Sequence, residues 1–378
     1  MKTPIIAFCL LLIPVSVAAT SSLPLEKLNL PPGFSIRVFA EVDNPRQLAL
    51  SKNGTIYAGS LAAGKVYAIL DDDGDYLADR VLTLDSNLTM PSGLTIKGKD
   101  LYVGAVNRIL RYSDIDSQLA APPKPEVVLD SLPDKPHHGW KFIDFGPDGY
   151  LYIPIGAPCN LCLSDDKRFA SMLRINLSHE NPAMEIFAQG IRNSVGFDWH
   201  PVTHELWFTD NGSDNMGDEI PPCELNHAPD AGLHFGFPFF HGNNLRDTNF
   251  GGRRNEKEYR VPALALVPHS APLGMMFYTG KQFPAKFSNQ ILIAEHGSWN
   301  RSEEAGHTGY RITLAYHKED GSLKYETFID GWLVNNKSWG RPAHLLQLPD
   351  GSILIADDTA NAIYRVAYDG PGTARNPR

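Results

Sequence analysis

A hairpin pattern recurs six times along the 378-residue chain and constrains its fold more than any other feature. Each copy has an apolar stretch, a turn rich in Gly, Asn or Asp, and a strand in which apolar and polar residues alternate. Alternation with a period of two, interrupted by DG or NG, is the signal of a β-hairpin. The copies are LSKNGTIYAGS at 50–60, LTIKGKDLYVG at 94–104, IDFGPDGYLYIPIG at 143–156, FDWHPVTHELWFTDN at 197–211, FSNQILIAEHG at 287–297 and LLQLPDGSILIADD at 345–358.

Repeats of roughly 45 to 55 residues that are built from short strands are typical of a β-propeller. One four-stranded blade cannot bury both of its faces, and closing the blades into a ring covers them. The six copies therefore predict an all-β, six-bladed propeller that spans residues 20–378 as a single domain. Residues 221–270 are rich in Gly, Pro, His and Asn and show no clear strand pattern. We expect them to form long loops over one end of the channel; a second domain is the alternative.

The net charge disfavours one class of function, and the N-terminal residues indicate an exported protein. The 34 basic and 43 acidic residues give a net charge of −9, which disfavours a nucleic-acid binder. A short basic start, an apolar run at 5–15 and small residues at 17–19 predict a cleavable signal peptide over residues 1–19. That run is too short to span a bilayer, although an uncleaved anchor is the alternative. We expect a periplasmic or secreted protein without a membrane span.

Three cysteines follow the predicted signal peptide, namely Cys159, Cys162 and Cys223. An oxidising compartment favours a disulfide, but three cysteines cannot all pair, and the sequence does not determine which two do. Leu163 stands where a c-type haem site needs histidine, so Cys159 and Cys162 do not form such a site.

Two polar groups stand at blade edges, where side chains can reach the channel. His138 precedes the strand that leads into the GPDG turn, and a histidine there can act as a general base near neutral pH. A solvated loop histidine is the alternative. Arg192 and Asn193 begin an apolar strand, where burying them is costly without anionic or carbonyl partners. They can bind a planar ligand, or they can form a salt bridge between blades.

Two segments are rich in oxygen ligands. The run DNGSDNMGDE at 210–219 combines carboxylates with turn carbonyls, the donors that calcium prefers, and predicts a calcium site. A loop of Asx-turns without an ion is the alternative. Asp71, Asp73, Asp75 and Asp79 form a second acidic cluster. We interpret it as a solvated turn rather than a structural calcium site.

Cations stand beside aromatic rings in HGSWNRS at 296–302 and in WGRP at 339–342. Arginines in such places suit a planar, multiply anionic ligand. Cation–π packing between blades is the alternative.

Taken together, these motifs resemble the glucose and sorbosone dehydrogenase family, and most of all its sorbosone branch. Members of this family are six-bladed propellers that use pyrroloquinoline quinone (PQQ) and calcium. The resemblance extends from LNLPPGF at 28–34 to IYR at 363–365. The stretches that carry it are GAPCNLC at 156–162, GIRNSVGFDWHP at 190–201, ELWFTDNGSDNMGDEIPP at 205–222, HFGFP at 234–238, HGSWNRS at 296–302 and WGRP at 339–342.

The resemblance implies catalytic roles for two residues. His138 matches the base that takes the hydroxyl proton while hydride moves to the quinone. Arg192 matches the arginine that stabilises charge on the quinone oxygen, and Asn193 matches the adjacent cofactor contact. His137 stands where the family has a supporting acid.

The resemblance also implies metal and cofactor ligands. Gly212 and Ser213 match the backbone-carbonyl ligands of the calcium ion that polarises the quinone. Asp218 and Glu219 match acidic residues of neighbouring calcium sites. Arg341 matches one of two arginines that bind cofactor carboxylates.

Besides His137, the chain departs from the family pattern at three places. Ala343 replaces the second carboxylate-binding arginine, and Pro91 replaces a glutamine of the glucose-specific relatives. The family lysine near the fifth blade is missing, and we expect His296 or Arg301 to take its place as a cofactor-binding residue.

The sequence therefore predicts a quinoprotein dehydrogenase that oxidises an aldose or a sugar aldehyde. Electrons would pass to a separate acceptor, a cytochrome or a quinone. No G-x-G-x-x-G stands between a strand and a helix, so the fingerprint of a nicotinamide site is missing. A metal-dependent lactonase-type hydrolase and a non-catalytic binding propeller are the alternatives.

Overall fold

Short strands joined by tight turns build six antiparallel sheets, as the alternating pattern predicts. The computed structural model describes residues 23–178, 183–318 and 320–371. The predicted signal peptide at 1–19 and Cys9 lie outside the described residues. The innermost strands of neighbouring blades lie side by side around a central channel. The predicted six-bladed propeller is thereby confirmed.

We number the blades in chain order and give their strands from the channel outward. Blade 1 has Pro45–Leu50, Ile56–Ser60, Val66–Leu70 and Arg80–Asp85; blade 2 has Gly93–Lys97, Asp100–Gly104, Ile109–Tyr112 and Glu126–Leu129. Blade 3 has Asp144–Phe145, Leu151–Ile155, Ser171–Ile175 and Met184–Gln189, with Leu233–His234 added in parallel. Blade 4 has Phe197–Trp199, Leu206–Asp210, Cys223–Ala228 and Leu264–Leu266. Blade 5 has Pro272–Phe277, Ile291–Glu295, Arg311–His317 and Leu323–Ile329; blade 6 has Pro342–Gln347, Ile353–Asp357, Ala362–Tyr368 and Phe34–Glu41.

The ring is closed by the first strand of the chain. Phe34–Glu41 pairs antiparallel with Ala362–Tyr368 and becomes the outer strand of blade 6. The Phe34 ring packs edge-on against Phe283 and Phe328, with centroids 4.8 and 4.9 Å away. Burying an aromatic side chain of this kind contributes about 1.5–3 kcal/mol. Closure therefore joins both ends of the chain and covers a sheet edge that would otherwise be open.

Two small hairpins and five short helices complete the described elements. The hairpins pair Phe240–His241 with Leu245–Arg246 and Leu333–Val334 with Lys337–Ser338. The helices are the 3₁₀ turns Leu25–Lys27, Ile115–Ser117, Gly251–Arg253, Glu256–Glu258 and Ala285–Phe287. None of these described helices is long and apolar enough to cross a membrane.

The expectation that residues 221–270 lack strands is wrong. Cys223–Ala228 is the third strand of blade 4, and Leu264–Leu266 is its outer strand. The alternation is hidden because polar side chains of the third strand are buried as well. Glu224 accepts hydrogen bonds from Asn226 Nδ2 at 2.9 Å and from the Gly242 amide at 2.8 Å. Because this strand is covered on both faces, its sequence does not alternate between polar and apolar residues.

Candidate active site

Loops from several blades meet around a cavity of about 330 Å³ at one end of the channel, which we call the mouth cavity. Its walls carry several arginine, histidine and tryptophan side chains. They include Arg46, His137, His138, Trp140, Arg192, Asn193, Gly212, Asp214, His296, Trp299, Asn300 and Arg341. Seven of the ten site residues that the sequence predicts are thus gathered here or border it, as described below.

His138 is buried and held in one tautomer. It has a φ of 51°, a left-handed conformation that few residues other than glycine and asparagine adopt readily. Its Nδ1 lies 2.9 Å from the Ala157 carbonyl oxygen. Because a carbonyl only accepts, Nδ1 carries the hydrogen and Nε2 keeps a free lone pair. Burial, with the nearby Arg192 and His137, lowers the pKa of His138 to about 3, so the ring is neutral near pH 7.

Arg192 is 3% exposed, and its guanidinium is held on three sides. Nη2 donates to Asp214 Oδ2 and to Asn160 Oδ1, both at 2.8 Å. Nε donates to the Asn160 carbonyl at 2.9 Å, and Nη1 to the Asn211 carbonyl at 3.2 Å. The burial that the sequence marks as costly is therefore compensated by carboxylate and carbonyl partners.

A buried carboxylate fixes the backbone that carries Arg192 and Asn193. The two oxygens of Asp210 accept from the Arg192 amide at 2.8 Å and from the Asn193 amide at 2.6 Å. Burial nonetheless raises the pKa of Asp210 to about 6. Asn193 itself lines the cavity.

Arg46 is a cavity residue that the sequence analysis missed. It lies at the start of the inner strand of blade 1, and its Nη1 donates to Asp358 Oδ2 at 2.7 Å. The other oxygen of Asp358 lies 2.8 Å from His296 Nε2. Although burial acts in the opposite direction, His296 and Arg46 hold the pKa of Asp358 well below its ordinary value. Its position in the sequence could have identified Arg46 as a cavity residue, because Arg192 and Arg341 precede the inner strands of their blades.

His296 and Arg341 lie together on the wall formed by blades 5 and 6. Arg341 donates from Nε to the His296 carbonyl at 3.0 Å and from Nη2 to the Gly297 carbonyl at 2.5 Å. Burial lowers the pKa of His296 to about 4, so this residue is neutral rather than cationic near pH 7. Within the described ranges, no carboxylate lies within ion-pair distance of the Arg341 guanidinium. Arg341 is therefore the cavity's uncompensated cation.

Three predicted site residues lie elsewhere. The Asp218 carboxylate accepts from the amide and hydroxyl of Ser302, at 2.8 and 2.7 Å. Arg301 donates to the Asp218 carbonyl at 2.7 Å and pairs with Glu219 Oε1 at 3.0 Å. These contacts join two loops outside the cavity, so the structure brings none of the three residues to the mouth.

The predicted calcium ligands Gly212 and Ser213 lie next to each other on the blade 4 loop. Gly212 lines the cavity, while Ser213 is fully buried, with its hydroxyl 3.4 Å from His241 Nδ1. Neither backbone carbonyl accepts a hydrogen bond from another residue that the structure describes. Both oxygens thus keep their lone pairs.

The structure pairs Cys159 with Cys162 and leaves Cys223 as a buried free thiol.

The second acidic cluster is exposed and outside the cavity. Asp71, Asp73 and Asp79 bring carboxylate oxygens within 4.8 Å of one another. Asp71 also accepts from the amides of Gly74 and Tyr76 at 2.8 and 3.0 Å, as in a solvated turn.

Comparison with known proteins gives one family and a set of similar folds. A family model described as glucose/sorbosone dehydrogenase matches residues 103–298. An uncharacterized protein from Borreliella burgdorferi is 34% identical over 358 residues, covering 90% of this chain and 91% of the relative.

Several solved structures share the propeller. The holo PQQ domain of pyranose dehydrogenase from Coprinopsis cinerea has a TM-score of 0.76 at 14% identity, covering 90% of this chain and 97% of that chain. A calcium structure of a family AA12 carbohydrate-active enzyme from Trichoderma reesei also has 0.76, at 17% identity and the same coverages. The PQQ-bound aldose sugar dehydrogenase from Streptomyces coelicolor has 0.62 at 16% identity, covering 90% and 99%. At these identities the likeness establishes the fold.

Proposed function

Because the chain belongs to the glucose/sorbosone dehydrogenase family, we propose that it is a PQQ-dependent dehydrogenase of aldoses or sugar aldehydes. The observation that carries the proposal is the juxtaposition in one cavity of a neutral buried histidine and an excess of arginine charge. The proposed setting is an exported protein that passes electrons to a separate cytochrome or quinone.

The mouth cavity fits a planar cofactor with three carboxylates. Arg46 and Arg192 are paired with single carboxylates, and Arg341 has only carbonyl partners, so the walls keep an excess of positive charge. Trp140 Nε1 is buried in the wall without a hydrogen-bond partner. Trp299 is 68% exposed at the rim and offers a ring face to a flat ligand. These features suit a multiply anionic aromatic molecule.

We assign the holding of PQQ carboxylates to Arg46 and Arg341. Arg46 stands in for the second family arginine, which Ala343 replaces in the sequence. The sequence-based prediction that His296 or Arg301 replaces the missing family lysine concerns a different cation. His296 is neutral near pH 7 and Arg301 lies outside the cavity, so we do not assign a PQQ carboxylate to either of them. Asn193 is the adjacent polar contact.

When bound, PQQ supplies an electrophilic quinone that accepts two electrons as hydride. His138 Nε2 takes the proton that the substrate hydroxyl loses. The Ala157 carbonyl accepts from Nδ1–H and thereby leaves the basic lone pair on Nε2. Arg192 places fixed positive charge in the wall, already held by Asp214 and Asn160, so little reorganisation accompanies the development of charge. The Gly212 and Ser213 carbonyls are the donors that we propose for calcium.

The proposed function is tested by titrating the purified, metal-free protein with PQQ and Ca²⁺. We expect calcium-dependent binding, measured from the quinone absorbance, and bleaching when the correct aldose or aldehyde is added. A dye acceptor then measures turnover over a panel of sugars. Absence of PQQ binding would contradict the proposal. Calcium-dependent lactone hydrolysis without PQQ would favour a hydrolase, and neither activity would favour a binding propeller.

Removal of calcium is expected to lower both activity and thermal stability. A ligand that binds only the folded state adds about 2.7 kcal/mol to the free energy of unfolding at 100 times its Kd. We therefore expect chelation to lower the Tm by a few degrees and turnover by at least about tenfold, because a calcium ion held by the Gly212 and Ser213 carbonyls would supply Lewis-acid polarisation. Calorimetry and the dye assay, with Ca²⁺ and Mg²⁺ added back separately, measure both effects.

Asp218→Asn is the matched control for the calcium assignment. Its carboxylate binds Ser302 rather than facing the cavity, so the variant should keep the wild-type calcium affinity. A large loss of affinity in this variant would instead support the sequence-based prediction that Asp218 is a ligand. Indifference of the wild type to chelator would remove calcium from the proposed function.

A further inference from the structure

The segment 157–162, which contains the turn closed by the Cys159–Cys162 disulfide, lies behind residues that line the mouth cavity. On one side it contacts two of those residues, His138 through the Ala157 carbonyl and Arg192 through Asn160. On the other side Cys162 and Pro158 line a second cavity of about 310 Å³, which we call the side cavity. Both cysteines are half-buried, so the bond is open to a small reductant from the side cavity.

Asn160, inside this turn, makes the largest number of contacts to Arg192. Its side-chain Oδ1 and its backbone carbonyl accept from Arg192 Nη2 and Nε, at 2.8 and 2.9 Å. These two acceptors lie on one four-residue turn, so the guanidinium plane is fixed by the conformation of that turn. The disulfide removes most of the freedom by which the turn could depart from it.

The same asparagine holds the carboxylate loop that pairs with Arg192. Oδ1 also accepts from the Asp214 amide at 2.8 Å, and Nδ2 donates to the Asp214 carbonyl at 2.9 Å. Asp214 in turn accepts from Asn300 Nδ2 at 2.6 Å, next to the rim residue Trp299. Asn160 therefore links loops of blades 3, 4 and 5 across the mouth.

The segment that leads into the turn fixes the proposed base. The Ala157 carbonyl contacts His138 Nδ1 at 2.9 Å, and the Ala157 amide donates to the Arg192 carbonyl at 2.7 Å. One short stretch, residues 157–162, thus contacts both His138 and Arg192.

We propose that the disulfide-closed turn is a positioning element of the active site, with Asn160 as its positioning residue. It holds the Arg192 guanidinium and the Asp214 loop in place, and through Ala157 it supports the tautomer of His138. The disulfide carries no electrons in turnover. The inference rests on the proposed function for its effect on activity, while its structural part is independent of any cofactor.

Reduction of the disulfide is the first test. Dithiothreitol supplies the two electrons and two protons that convert the bond to two thiols, and it is itself oxidised to a cyclic disulfide. A loop of four residues stabilises the folded chain little, so the Tm should change only slightly. Amide exchange measured by mass spectrometry should nevertheless rise by about tenfold in peptides covering 157–163 and 210–216. Peptides from blade 6, at 345–357, should stay unchanged.

Turnover and epistasis are the second test. In the reduced wild type, kcat should fall by about 10- to 100-fold with the sugar KM within about threefold, because the positioned charge acts in the transition state. Asn160→Ala should show the same loss, and reduction should add little to it, since the disulfide acts through Asn160. Asn176→Ala is the matched control and should behave as wild type, because this half-buried asparagine after the third strand of blade 3 accepts, among the described residues, only from its neighbour Ser178.

The outcomes separate this inference from the proposed function. If the oxidised protein neither binds PQQ nor oxidises a sugar, the proposed function fails, and the exchange experiment alone decides whether the turn holds the Asp214 loop. If mass analysis shows two thiols but exchange and kcat stay at oxidised values, the turn is not a positioning element. An equal loss on reduction in Asn160→Ala and in wild type would also overturn it.

Discussion

Replacing His138 by asparagine is expected to lower kcat for sugar oxidation by about 10²–10⁴-fold, the range that a positioned general base contributes. The residue has φ 51°, and asparagine tolerates this left-handed conformation, so the backbone should keep its path. The amide has no lone pair of comparable basicity to replace Nε2. Affinity for PQQ and Ca²⁺ should remain within about fivefold, because other residues supply the charges that bind the cofactor. Steady-state kinetics and the absorbance titration measure the two quantities separately.

His137→Asn is the matched control for this change. The residue is adjacent, exposed and of the same type, but its ring has no contact that fixes a tautomer as the Ala157 carbonyl does for His138. We expect less than about a tenfold decrease in kcat, since the His137 ring packs beside His138 and is not given the role of proton acceptor. If His138→Asn keeps wild-type turnover, or if His137→Asn loses as much, the base is not His138.

Removing Arg46 and Arg341, the two arginines assigned to the PQQ carboxylates, is expected to abolish measurable cofactor binding. Charge-assisted hydrogen bonds contribute about 1.5–3 kcal/mol each, so Arg341→Gln should raise the PQQ Kd by about 10- to 150-fold. Arg341 has carbonyl partners rather than a carboxylate, so its loss leaves no buried charge unpaired, and folding should be little affected. Isothermal titration or quinone absorbance measures the Kd.

Arg46 needs a paired substitution, because it neutralises the buried Asp358. Leaving one member of a buried ion pair unpaired typically costs about 3–5 kcal/mol. This is a large part of the roughly 5–15 kcal/mol that is the free energy of unfolding of a typical domain. Arg46→Gln is therefore combined with Asp358→Asn, and this pair together with Arg341→Gln should raise the Kd by about 10³-fold or more. A folded triple variant, checked by circular dichroism, that binds PQQ normally would refute the assignment.

Arg301→Gln tests whether the loop between the second and third strands of blade 5 supplies a cofactor-binding cation. Arg301 pairs with Glu219 and binds the Asp218 carbonyl outside the cavity. The variant should keep the wild-type PQQ Kd. A loss comparable with that of Arg341→Gln would support the sequence-based prediction that Arg301 binds the cofactor.

Much of the site was predictable because its motifs lie at blade edges. His138, Arg192, Asn193 and Arg341 each stand beside an inner strand, and the repeat register indicates which end of the blade that is. Arg46 satisfied the same rule, but no neighbouring motif in the sequence marked it. The positions of Asp218 and Glu219 outside the cavity were not predictable, for a different reason. A run of carboxylates shows the density of oxygen atoms and not their direction, and these two face Arg301 and Ser302, more than 80 positions along the chain.

The sequence by itself determined the number of blades and the all-β class. Alternation and turn residues are local properties, because each hairpin is specified within about a dozen residues. The tertiary structure decided which polar groups meet. The pairs Arg46–Asp358, Arg192–Asp214 and Asp214–Asn300 join separate blades or loops. The choice of the Cys159–Cys162 disulfide over the other pairings was likewise left open by the sequence. Such contacts depend on ring closure, which brings distant segments to one channel mouth, and no local pattern in the chain encodes that distance.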